Sequence, residues 1–208
     1  MNVYKRENNM ILSKTDLKYY LSEDLKRFEG RKPTLKDWLV KNESWYIWHY
    51  IYALRHVEYH LNTNHKLRYL YWFIRYKRMC FNLKIDIKPN NLGPGFRLMH
   101  LGALVRIKRN CKIGLNCTIL PGVVIGNKHL NSDDDWVIIG NNCYIGLGAK
   151  IFGKVTIGDN VTIGANAVVT KDIPSNTTVV GIPAKPLIIN NLCKNMGGGV
   201  NRKERRAA

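Results

Sequence analysis

The sequence predicts an α+β chain, with an N-terminal α-helical domain over residues 1–82, a C-terminal parallel β-helix over 83–188 and a flexible basic tail over 189–208. Three observations carry this reading. Before residue 83, aromatic side chains alternate with Lys and Arg at helix-compatible spacing; from residue 101 onward, apolar residues recur every six positions; after Val169, Pro174, Pro183 and Pro186 break that period. With 208 residues and 45% hydrophobic composition, the chain has enough apolar mass for a buried core.

The helical half reads as three or four helices. Asp16, Leu17, Tyr20, Leu21, Asp24 and Leu25 form a first short stripe. Pro33-Thr34 with Asp37 three residues on is an acidic variant of the capping box and marks a second helix start. Trp38, Trp45, Tyr46, Trp48, Tyr50, Tyr52, Tyr69, Tyr71, Trp72 and Tyr76 supply the remainder. The segment HKLRYLYWFIRYKR reads first as a core-facing helix, and its density of Tyr, Trp and cations also fits peripheral contact with a membrane.

In the second half, Leu101, Ile107, Ile113, Ile119 and Ile125 fall six apart, as do Ile139, Ile145, Ile151, Ile157, Ile163 and Val169. Two residues before each anchor from Ile113 on stands a small side chain: Cys111, Cys117, Val123, Val137, Cys143, Ala149, Val155, Val161 or Ala167. Asn110, Asn116, Asn142, Asn160 and Asn166 follow anchors by three, and Asn tolerates the positive φ of tight corners. A six-residue period suits neither a helix nor a hairpin; it suits short strands joined by corners, three to a coil. Ile125 and Ile139 are 14 apart, so eight extra residues form a loop at one corner. Removing them places Cys117 and Cys143 on successive coils, about 4.8 Å apart.

Composition excludes several classes. The 33 Lys and Arg against 15 Asp and Glu give +18, but the excess is spread over both halves, 16 against 8 in residues 1–80 and 17 against 7 beyond. That spread favours phosphate-bearing small molecules or anionic lipid over nucleic acid. Five cysteines without a CxxC pair imply neither a disulfide framework nor a zinc site, and the expected compartment is the reducing cytosol. No run approaches the roughly 20 apolar residues of a membrane span, and Lys5, Arg6 and Glu7 are not followed by the apolar core of a signal peptide.

The hexads closing in GDNVTIGANAVVTKDIPSNTTVVGIPAK resemble the hexapeptide-repeat acyltransferases. The resemblance implies a left-handed β-helix, a homotrimer, and acetyl transfer from acetyl-CoA. Within that family, IDIKPNNLGPGFRLMHLGALVRI is similar to the serine acetyltransferase branch, which implies His100 as general base and Asp86 as the residue orienting its imidazole. Such a base suits the chemistry, because a hydroxyl must lose its proton to attack a thioester at neutral pH. The family's coenzyme A site implies Gly148, Ala149 and Ala165 along the pantetheine arm, with Thr170, Lys171 and Lys185 toward the adenosine phosphates.

Where the serine branch carries an adjacent Arg-His pair in its inserted loop, this chain has Asp135 and Trp136, preceded by Asp133 and Asp134. Three carboxylates repel the carboxylate of serine, whereas they accept hydrogen bonds from sugar hydroxyls, and an indole can stack on a sugar face. The chain therefore also resembles the surface-polysaccharide O-acetyltransferases, which implies a carbohydrate acceptor, free or lipid-linked, at the inner face of the membrane. His129, in the same loop, is a second candidate base or acceptor contact. Serine O-acetylation and a non-catalytic β-helix scaffold are the alternative functions. The acidic run implies no metal without further ligands.

Overall fold

The computed structural model describes residues 10–28, 32–128 and 135–187. Four helices lead: α1 (Lys14–Arg27), α2 (Leu35–Leu39), α3 (Glu43–Asn62) and α4 (Lys66–Leu83). Each start has a local cause. Ser13 Oγ accepts the Asp16 N–H at 3.0 Å at the head of α1, and Asn42 Oδ1 accepts the Ser44 N–H at 3.0 Å at the head of α3. At α2 the expected box is present, with the Thr34 N–H donating to Asp37 at 2.6 Å. Lys84, in the left-handed conformation, ends α4 and turns the chain into the first strand.

Among the described residues fourteen short strands follow, numbered in chain order, and wind into a three-sided helix. The first side stacks β1 (Ile85–Ile87), β3 (Val105–Ile107), β6 (Val124–Gly126), β9 (Lys150–Phe152) and β12 (Val168–Val169). The second holds β4 (Cys111–Ile113), β7 (Val137–Ile139) and β10 (Val155–Ile157). The third holds β2 (Arg97–Leu98), β5 (Thr118–Ile119), β8 (Tyr144–Ile145), β11 (Thr162–Ile163), β13 (Thr178–Val180) and β14 (Lys185–Pro186). All pairings are parallel except β13 with β14, which folds the chain back over the C-terminal end.

The hexads act as expected, except that Asn110 does not take a positive φ. Anchors Ile107 to Val169 and the small residues two positions before them are fully buried, so each side contributes an inward pair. Asn116, Asn142, Asn160 and Asn166 all take positive φ, and Asn142 and Asn160 donate side-chain hydrogen bonds to Asn160 and Asn176 at 3.1 and 2.9 Å. Thr118 pairs with Tyr144, which stacks Cys117 on Cys143 as free thiols.

Leu101 departs from the pattern. It is a partly buried corner residue, and the anchor of its coil is Leu98, paired with Ile119 at an offset of 21, against the 18 that separates Ile107 from Ile125 and Ile145 from Ile163. Three additional residues therefore swell the corner after β2, the corner that bears His100. Tyr50, Leu54, Val57, Tyr76 and Cys80 belong to the same buried cluster as Ile85, Leu92 and the β-helix anchors, so one apolar core runs from the helices into the coils.

Candidate active site

His100 stands on that enlarged corner with φ 62°, followed by Gly102 at φ 124°. A histidine in the left-handed region is uncommon, and the geometry persists only where neighbours fix it. The neighbour is Glu43, the first residue of α3. One of its carboxylate oxygens accepts the His100 Nδ1–H at 2.6 Å, and the other accepts the Leu101 backbone N–H at 3.1 Å. The clamp fixes the tautomer with the proton on Nδ1 and leaves Nε2 as the basic atom, on a side chain that is 62% exposed.

Asp86 does not take the orienting role expected of it. It lies on the first side of the β-helix, where Lys88 donates to both its oxygens at 2.8 and 3.0 Å and Arg106 lies 3.8 Å away. Its charge is committed to two cations, and the carboxylate on the imidazole comes instead from the helical half. Glu43 gives no signal in the sequence, because its contact spans 57 residues and joins two differently patterned halves.

The same helices carry a buried ionic network. Arg55, wholly inaccessible, donates to Asp24 at 2.9 Å and Glu58 at 3.0 Å, and to the Leu92 and Gly93 carbonyls at 2.8 and 2.7 Å. Asp24 in turn accepts the Phe96 N–H at 2.9 Å, and Glu58 accepts the Asn90 N–H at 2.8 Å. Burial pushes both carboxyls above their ordinary range, opposed by the Arg55 guanidinium. The network bolts α1 and α3 to the segment 90–96, the chain that leads into His100.

Extending the registers of the third side by two residues places His100, Pro121, Leu147, Ala165 and Gly181 on one edge. Ala165 is exposed there. Gly148 adjoins the same edge at φ 69°, where a Cβ would come within 2.2 Å of the Asn166 side chain. Ala149 does not face this edge. It is fully buried, its N–H donates to Gly146 and its carbonyl accepts from Val124, so it offers nothing to a ligand. Thr170, Lys171 and Lys185 meet in a cleft of about 150 Å³ at the C-terminal end, with Pro183 and Pro186. Two ammonium groups there suit phosphate.

His129, Asp133 and Asp134 lie outside the described residues. Asp135 and Trp136 sit on the corner between the first and second sides, a different edge from His100 in the same chain. The backbone carbonyl of Asp135 accepts from Lys108, its side chain accepts the Lys128 N–H at 3.2 Å, and the Lys112 ammonium lies 5.9 Å from the Trp136 ring centre. Burial lowers the Lys108 pKa, and Asp135 opposes the shift. At this corner the Asp135 carboxylate acts on the Lys108 ammonium through space. Cys80 and Cys111 are poor nucleophile candidates: burial pushes the Cys111 thiol up to about 12 and raises Cys80 as well.

A transferase-like hexad fold with a basic, carboxylate-oriented imidazole on its edge defines a class, and comparison agrees. Residues 104–128 and 136–171 match the family model described as hexapeptide repeat of succinyl-transferase. The chain belongs to the hexapeptide-repeat acyltransferase family, and its coils are the left-handed β-helix of that family. Among its relatives, the serine acetyltransferase of Buchnera aphidicola is 31% identical over 180 residues, covering 86% of this chain and 64% of the relative. The crystal structure of Neisseria gonorrhoeae serine acetyltransferase in complex with serine is 31% identical with a TM-score of 0.64, covering 85% of this chain and 71% of that one. That of serine acetyltransferase from Brucella abortus in complex with coenzyme A is 27% identical with a TM-score of 0.64, covering 84% and 68%. The chain spans between 41% and 64% of the length of the first curated relatives it matches.

These relatives overturn the expectation of a carbohydrate acceptor in surface-glycan synthesis. The physical reason lies in the loop. The sequence argument counted Asp133 to Asp135 as net negative charge and left out Lys108, which interacts electrostatically with Asp135, and Lys112, whose ammonium lies by the Trp136 ring.

Proposed function

We propose that the chain is an acetyl-CoA-dependent O-acetyltransferase whose acceptor is the hydroxyl of serine. The observation that carries the reading is the Glu43–His100 pair, a carboxylate-oriented imidazole presented on a β-helix edge. The relatives' names supply the acceptor and the co-substrate.

His100 Nε2 takes the hydroxyl proton as the serine oxygen adds to the thioester carbonyl, and it returns that proton to the departing sulfur. Glu43 holds the imidazole in place and stabilises the positive charge it gains in between. The products are O-acetylserine and free coenzyme A, with no acyl-enzyme. Acetyl-CoA supplies the activated acyl group; Lys171 and Lys185 hold its phosphates, and the edge at Gly148 and Ala165 admits its thin arm. From His100 to Ala165 is three coil steps, about 14 Å at one strand spacing per step.

The arrangement is read as belonging to a homotrimer, the assembly typical of the family. The test is release of coenzyme A thiol from acetyl-CoA by the purified protein. Turnover with L-serine and none with L-alanine is the expected outcome; coenzyme A binding with no serine turnover overturns the acceptor assignment.

A further inference from the structure

The outward face of α4 is unaccounted for by acetyl transfer. Of its 18 residues only Tyr76 and Cys80 are buried. Leu67, Leu70, Tyr71, Ile74 and Phe81 stand in water, Leu67 and Phe81 at 85% and 86% exposure. At 3.6 residues per turn they form one ridge within roughly 100° of arc. Lys66 and Lys77 flank the ridge on one side, Arg68 and Arg75 on the other, and Arg78 rises within it. All five are exposed, α4 contains no acidic residue, and none of the five forms an ion pair with a carboxylate among the described residues. Beside the ridge, α4 and α3 form a groove of about 760 Å³ whose lining includes Trp45, Tyr46, Tyr71 and Ile74 together with Arg75 and Arg78.

We propose that this face docks on an anionic phospholipid surface. The ridge enters the acyl boundary, the flanking cations meet headgroup phosphates, and the groove receives part of one lipid whose phosphate Arg75 and Arg78 hold. Charge selects the occupant. A second copy would set five cations against five, and a nucleic acid would leave Leu67, Leu70, Ile74 and Phe81 without apolar contact. An anionic bilayer satisfies both the apolar ridge and its cationic flanks. Contact is peripheral, since no helix of the described residues is long and apolar enough to cross a membrane. The inference does not depend on which acceptor the enzyme acetylates.

The test is sedimentation of the full chain with vesicles of phosphatidylglycerol and phosphatidylcholine in equal parts, against pure phosphatidylcholine. Binding to the mixed vesicles is expected, at least tenfold stronger than to the neutral ones. The doubles Leu67→Ser/Phe81→Ser and Arg75→Gln/Arg78→Gln should each weaken it about tenfold or more. These side chains point to solvent, so circular dichroism should show the wild-type fold. Three results overturn the proposal: no binding to the anionic vesicles, binding indifferent to the Leu67/Phe81 change, or a drop in solution mass in that variant, which would assign the ridge to a second copy.

Discussion

Glu43 caps nothing in its own helix; its two oxygens reach a ring nitrogen and a backbone N–H on another element. A carboxylate at a helix N-terminus is favoured by the helix dipole, so the clamp costs α3 little. Glu43→Gln keeps the size but removes the charge that stabilises imidazolium. It should lower kcat about 10- to 100-fold while leaving the KM for acetyl-CoA within about twofold. Asp86→Asn should change kcat far less, because Asp86 serves Lys88 and Arg106. Steady-state kinetics of the two variants separates them, and the reverse order would restore Asp86 to the imidazole. His100 entered as a candidate through the resemblance of its segment to the serine acetyltransferase branch. Its partner did not, because a contact across 57 residues leaves no local spacing to read.

At the level of elements, the hexads announced themselves because each side of the coil demands the same apolar anchor and the same small neighbour. What they hid was the three-residue swelling after β2, since Leu101 falls in phase by coincidence while Leu98 does the packing. The helix-to-coil junction was equally silent: Arg55, Asp24 and Glu58 look like surface charges in a basic sequence, and only the fold shows them buried together. Removing the cation strands two carboxylates in the core, and breaking a buried pair this way costs about 3–5 kcal/mol. Arg55→Ala should therefore lower the unfolding free energy by about that amount in urea titration. A loss under about 1 kcal/mol would mean the network is solvated and does not anchor segment 90–96.

Across the whole molecule, the protein carries a surplus of cations and histidines packed among aromatics. His49 lies stacked on Trp45 and His56 lies 4.2 Å from both the Tyr52 and Trp72 ring centres; burial lowers the pKa of each below 6.5. Protons therefore bind the unfolded chain more readily. The resulting stability is full above pH 6.5 and drains as pH falls toward the folded-state values. The melting temperature should drop between pH 7.5 and 5.5, and the double His49→Gln/His56→Gln should flatten that slope. Asp24 and Glu58, raised by burial, act with the opposite sign, so the comparison with the double variant isolates the histidines. An unchanged slope would remove them from the pH response. The sugar reading of the acidic run failed because it weighed the carboxylates without Lys108, which a contact across 27 residues sets beside Asp135.

The central claim is that His100 is the base of acetyl transfer. Turnover of acetyl-CoA with L-serine by His100→Ala, in protein shown by circular dichroism to keep its fold, tests it most directly. A fall of about 10²-fold or more is the predicted result; turnover within about threefold of wild type would contradict it.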